Sequence, residues 1–188
     1  NTDAYLFDLL RAREKYDGQI KILFGVELGL VPELKRKNLI FAKGHEFDYI
    51  IGSSHLCHGK DPYYASFYED RTEKEAYREY FESILENVKG YTQYDVYGHL
   101  DYVVRYGPTK NQNYRYADHA DVIDEILKTL VENEKGLEVN TGGFRSGIGT
   151  TNPCREIVKR YKELGGEIIT IGSDAHETKY LQDHFTDA

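Results

Sequence analysis

Five short apolar, β-branched runs alternate with longer segments of helical periodicity, and this alternation is what most restricts the fold. The runs are Lys21–Val26, Tyr49–Gly52, Asp95–Gly98, Leu137–Asn140 and Glu167–Ile171. The helical segments are 2–17, 32–42, 72–88, 117–133 and 153–164. Strands separated by helices require βαβ crossovers, which give a parallel sheet with helices packed on it. Neither an internal repeat nor a Pro/Gly-rich linker interrupts the order, so residues 1–188 are expected to form a single α/β domain.

Local signals mark the helix ends. Thr2 or Asp3 is expected to cap the first helix, whose apolar face is Leu6, Leu9 and Leu10. Thr72 followed by Glu75 is a capping box for the third. Val122, Ile123, Ile126, Leu127 and Leu130 share one face of the fourth, which leaves His119 on the polar side. Asn152 with Pro153 behind it predicts the start of the fifth. Residues 103–115, with Gly107-Pro108, read as a loop. The last strand reads as buried.

The chemistry-bearing residues collect where the strands end. Glu27 closes the first strand, and His55 and His99 follow the second and third. Asn140 and Arg145 follow the fourth, and Asp174 and His176 the fifth. In a parallel sheet these ends share one face, where active sites lie. Carboxylate oxygens and imidazole nitrogens gathered there suit Zn, Mn or Fe. Arg145, after Gly142-Gly143, is a candidate grip for an anion, and Arg105 is a second. Tyr63, Tyr64 and Tyr102 are candidate pocket walls, although most of the 17 tyrosines must serve packing. His58 is a lesser candidate for the site, and His45 and His184 are expected at the surface.

Composition removes other classes. A net charge of −8 argues against a nucleic-acid groove, which needs a basic stripe. No apolar run is long enough to span a bilayer. Cys57 and Cys154 lie far apart with no CxxC spacing, which suits a reduced, cytoplasmic protein. There is no G-x-S-x-G elbow and no P-loop.

Gly25-Val26-Glu27, Gly52-Ser53-Ser54-His55, Gly98-His99-Leu100-Asp101 and Gly172-Ser173-Asp174-Ala175-His176 resemble the metal motifs of the PHP (polymerase and histidinol phosphatase) superfamily. Gly59-Lys60-Asp61-Pro62-Tyr63-Tyr64, Tyr97–Tyr102 and Asn140–Arg145 resemble its monofunctional histidinol-phosphatase branch in particular. The resemblance implies a distorted (β/α)7 TIM-like barrel with two or three divalent metal ions. It implies hydrolysis of L-histidinol phosphate in histidine biosynthesis by metal-activated water. Glu27 would bridge two metals, His55 and His99 would bind one of them, Asp174 another and His176 a third. Glu27, Asp174 and His176 would thereby be the catalytic residues. Arg145 and Arg105 would hold the phosphate, with Tyr63 and Tyr102 beside the substrate. The family opens on a His-x-His strand that does not occur here, so the chain is expected to be a portion of a barrel lacking its first strand and its C-terminal end. A nuclease of the same superfamily and a non-catalytic scaffold are the alternatives.

Overall fold

The computed structural model describes residues 1–188. Five strands, β1 (Gly25–Gly29), β2 (Tyr49–Ser53), β3 (Val96–Tyr97), β4 (Gly136–Asn140) and β5 (Ile169–Gly172), form one parallel sheet in sequential order. Six α-helices accompany them: α1 (Thr2–Lys15), α2 (Lys35–Lys43), α3 (Glu73–Gly90), α4 (Ala120–Glu132), the single turn α5 (Gly142–Arg145) and α6 (Arg155–Glu163). The sheet curls strongly, since the Tyr49 hydroxyl on β2 donates to Thr170 Oγ1 on β5 at 3.1 Å, across the two intervening strands. Such curvature gathers the carboxyl ends of the strands around a common mouth.

The core lies between the sheet and α3, α4 and α6. Thr72 and Glu75 form the expected capping box, with Glu75 N donating to Thr72 Oγ1 at 3.2 Å and Thr72 N to Glu75 Oε2 at 2.8 Å. From there α3 buries Ala76, Tyr77, Tyr80, Phe81, Ile84 and Val88, at the three- and four-residue spacing of one helix face. That face meets Ile123, Ile126, Leu127 and Leu130 of α4. Each of these larger side chains contributes roughly 1.5–3 kcal/mol by leaving water. The core is rich in tyrosine, and several of the buried rings find an acceptor: Tyr80 donates to Ser54 O, Tyr161 to Lys135 O and Tyr68 to Val103 O.

Several elements differ from the sequence expectation. Asn1 caps α1 through its Oδ1, and α1 buries no residue, with Leu10 exposed and Leu6 and Leu9 only half-covered. The first strand begins at Gly25, so Glu27 is its middle residue. Asp48 engages Phe24 through backbone and side chain just before parallel pairing with Tyr49–Ser53 begins. The fifth strand has one half-exposed face, carrying Ile169 and Ile171, because it is an edge strand bonded to β4 alone. The segment read as a loop from 103 opens with a 3-10 turn, Tyr102–Arg105, three residues of which are buried. His119 precedes α4 as its cap residue and is buried against Phe81 and Tyr114, not on a polar face. Cys154, not Asn152, occupies the cap position of α6, since the Asn152 side chain is engaged elsewhere.

Candidate metal centre

Glu27, His55 and His99 converge at the mouth of the curled sheet. His99 Nε2 lies 3.1 Å from Glu27 Oε1, and His55 Nε2 lies 3.4 Å from the same oxygen. One ligand atom from each of the three lies within 4.8 Å of the other two. Metal bonds of about 2.0–2.2 Å at tetrahedral angles separate neighbouring donors by roughly 3.3–3.6 Å. The 3.4 Å His55 spacing falls within that range and the 3.1 Å His99 spacing just below it, so the donors stand close to coordination distance. His99 Nδ1 is buried without a hydrogen-bond partner, an unsatisfied group of the kind functional sites retain.

The local sequence explains the placement. Glu27 is the middle residue of β1, and its carboxylate reaches His99 and His55 at the mouth of the sheet. His99 and Asp174 are both held at positive φ, 26° and 51°, a region sparsely used by residues with a Cβ. Such backbones concentrate at functional sites. Gly98 and Gly172 beside them leave room for the Glu138 carboxylate of β4. A Cβ at Gly172 would stand 2.2 Å from Glu138 Oε1, and one at Gly98 would stand 3.3 Å from Oε2. Glu138 Oε2 in turn accepts from the His99 backbone N–H at 3.1 Å.

The electrostatics follow from the contacts. Burial pushes the Glu27 carboxyl up. The hydrogen bond and charge of His99, with Ser53 and His55, outweigh that and bring it down to about 2. Burial, then the neighbouring His99 charge, lowers the His55 imidazole and favours the neutral form that ligates metal. Burial raises Glu138 despite His99 and Asn140. Tyr102 closes one side, its ring centroid 5.0 Å from that of His99 and 5.1 Å from that of His55.

Other expected site residues are distributed around this centre. Asp174 Oδ2 accepts from Arg105 Nη1 at 3.1 Å. His176 is turned to solvent, its side chain 87% exposed, with Nδ1 on Asp174 O; it does not join the three-residue group. Arg145 donates to Ser173 O and Asp174 O, sits 3.4 Å from Asp183 Oδ2 and covers the Tyr180 ring, so it clamps the loop after β5. Tyr63 is exposed at the rim, stacked edgewise on Tyr106, which also meets Tyr102. His58 lies with Cys57 and Glu79 in a separate group. His184 is exposed at the surface as expected, with its ring on Phe144, whereas His45 is only partly exposed and packs on Phe41.

Sequence reasoning missed Glu138 and Asn152 as parts of the site. A charged residue between Leu137 and Val139 in a fully buried strand was the available signal for Glu138. For Asn152 no such signal exists.

The sequence pattern of the PHP domain family matches residues 2–142. The chain belongs to the PHP domain family. It is 36% identical over 174 residues to the probable histidinol-phosphatase of Clostridium acetobutylicum, covering 92% of this chain and 68% of that protein. It is 33% identical to the histidinol-phosphatase of Lactococcus lactis subsp. lactis over 95% of this chain and 66% of that one. The chain thus spans about two thirds of the length of these curated relatives. The crystal structure of the histidinol phosphate phosphatase of L. lactis, complexed with zinc, L-histidinol and phosphate, superposes with a TM-score of 0.86 at 30% identity. That superposition covers 99% of this chain and 72% of the L. lactis chain. The α/β fold is accordingly that of the TIM-like PHP type.

Proposed function

We propose that this chain carries the metal-dependent centre of a phosphomonoester hydrolase acting on L-histidinol phosphate, in histidine biosynthesis. The observation that carries the reading is the Glu27–His55–His99 cluster, at metal-ligand spacing, beside a buried arginine at the strand ends. The relatives' names and the zinc, histidinol and phosphate bound in the L. lactis structure support the substrate class.

Glu27, His55 and His99, with Asp174 nearby, would hold two or three divalent ions, and His176 joins them only after its side chain turns inward. Ions in such a donor set lower the pKa of water and draw charge from phosphoryl oxygens. Glu27 remains ionised and so keeps a full negative charge for binding. Arg105 supplies positive charge from a buried position, where it acts strongly on an anionic phosphoryl group. Arg145 fixes the backbone of Ser173 and Asp174 and thereby the direction of Asp174. Tyr102 packs against both imidazoles, of which His99 is buried and His55 remains open to solvent, with Tyr63 at the rim beside the substrate. In hydrolysis a water oxygen adds to phosphorus, the phosphorus–alkoxide bond breaks, and the departing histidinol oxygen takes a proton.

No helix is long and apolar enough to cross a membrane, and both cysteines are free, which supports a reducing, cytoplasmic setting. The test is release of inorganic phosphate from L-histidinol phosphate by protein loaded with zinc, manganese or iron. Turnover is expected with this ester and not with single-stranded DNA. Nucleotide release from DNA with an inert ester would instead indicate a nuclease, and no bound metal would indicate a scaffold.

A further inference from the structure

Arg105 is a buried cation whose closest acceptors are mostly neutral. Its Nε donates to Asn152 Oδ1 at 2.7 Å and its Nη2 to Asn140 Oδ1 at 2.8 Å. Its one carboxylate partner is Asp174, 3.1 Å from Nη1. Each amide then turns its nitrogen to a buried acid. Asn152 Nδ2 donates to Asp101 Oδ1 at 2.6 Å, and Asn140 Nδ2 donates to Glu138 Oε2 at 3.1 Å. The chain of contacts therefore runs acid, amide, guanidinium, amide, acid. An amide offers one acceptor and one donor end, so the acid on one side forces the oxygen toward Arg105 on the other. The Asn140 Oδ1 direction is fixed further by Gly142 N at 2.9 Å.

Burying an arginine is ordinarily compensated by a direct carboxylate. Here Asp174 is the one direct carboxylate, and an amide stands between the guanidinium and each of two further buried acids, Asp101 and Glu138. We propose that Asn140 and Asn152 are positioning residues that hold Arg105 rigidly through neutral acceptors, so that Asp174 is its single direct counter-charge and the remainder of its charge is directed at the phosphoryl group. The inference rests on the phosphate-ester reading of the site. It also separates the two arginines: Arg105 is the charged grip, and Arg145 is committed to backbone carbonyls and Asp183.

The test compares Asn140→Asp, which keeps the shape and the acceptor but adds charge, with Asn140→Ser, which loosens the clamp without charge. Calorimetry gives the affinity of the metal-loaded protein for inorganic phosphate, and steady-state kinetics give KM and kcat for L-histidinol phosphate. A charged hydrogen bond is worth about 1.5–3 kcal/mol, roughly tenfold to a hundredfold in affinity. Asn140→Asp is expected to weaken phosphate binding by about tenfold or more and to raise KM in step, with a clearly smaller loss in Asn140→Ser. Phosphate affinity within about twofold of the parent in Asn140→Asp, or equal losses in the two variants, overturns the proposal. Where Asn140→Asp does not fold, Asn152→Asp against Asn152→Ser makes the same comparison. A parent protein that binds phosphate, loses it in Asn140→Asp, yet leaves the ester intact upholds the clamp and removes the phosphatase reading. Turnover of the ester with phosphate affinity unmoved by Asn140→Asp does the reverse, and a parent protein that binds no phosphate overturns the clamp.

Discussion

Glu27 takes two imidazoles on one carboxylate oxygen, and that sharing makes it the residue whose charge matters most. Glu27→Gln keeps the volume and removes the charge. It is expected to lower kcat/KM for L-histidinol phosphate by about a thousandfold, equivalent to about 4 kcal/mol of transition-state stabilisation, while circular dichroism stays unchanged. Near-parental turnover would dismiss the assignment. His119 makes a separate statement about stability. Burial against Phe81 and Tyr114 lowers its imidazole below the ordinary 6.5, with Asp118 opposing. The folded form therefore resists a proton that the unfolded chain accepts. The stability tied to the neutral ring is complete above that ordinary value and is lost as pH falls through the lowered one. Urea midpoints measured at about pH 7.5 and about pH 5 should show a smaller acid-side drop in His119→Phe than in the parent. Equal drops would mean that His119 does not titrate in this window.

At the scale of elements, α3 matters twice. Its inner face builds the core, and Tyr80 and Asn87 reach from it to Ser54, at the end of β2 just before His55. The capping box at Thr72 holds the start of this helix. Thr72→Ala is expected to cost about 1 kcal/mol of stability, read as a lower denaturant midpoint with an unchanged m-value. A loss of only a few tenths would show that tertiary packing alone carries the helix start. The helix was legible in advance, because its cap and its apolar spacing are both local patterns. The extent of β1 was not, since it depends on where the parallel register with β2 begins, at Gly25 opposite Tyr49. The exposed face of β5 was equally hidden, because the same isoleucine-rich run suits a central strand and an edge strand alike.

For the molecule as a whole, metal and fold should be coupled. The centre joins β1 to the loops after β2 and β3, so ions held there bind only the folded chain. A ligand at a hundred times its Kd stabilises by about 2.7 kcal/mol. Chelator treatment should therefore lower the thermal midpoint of the loaded protein, and Glu27→Gln should be largely insensitive to it. An identical midpoint before and after stripping would leave the three residues without a structural metal role. The sequence by itself determined the βα alternation, the parallel sheet and the strand ends at which Glu27, His55 and His99 come together. Those follow from local periodicity and from the rule that parallel strands share a carboxyl end. Only the tertiary structure decided the partners. It buried Arg105 between two amides, gave Arg145 to the backbone of the β5 loop, brought Glu138 between two glycines and turned His176 outward. Each of these depends on how far the sheet curls and which side chain arrives from a distant strand, and such contacts leave no periodic trace in the chain.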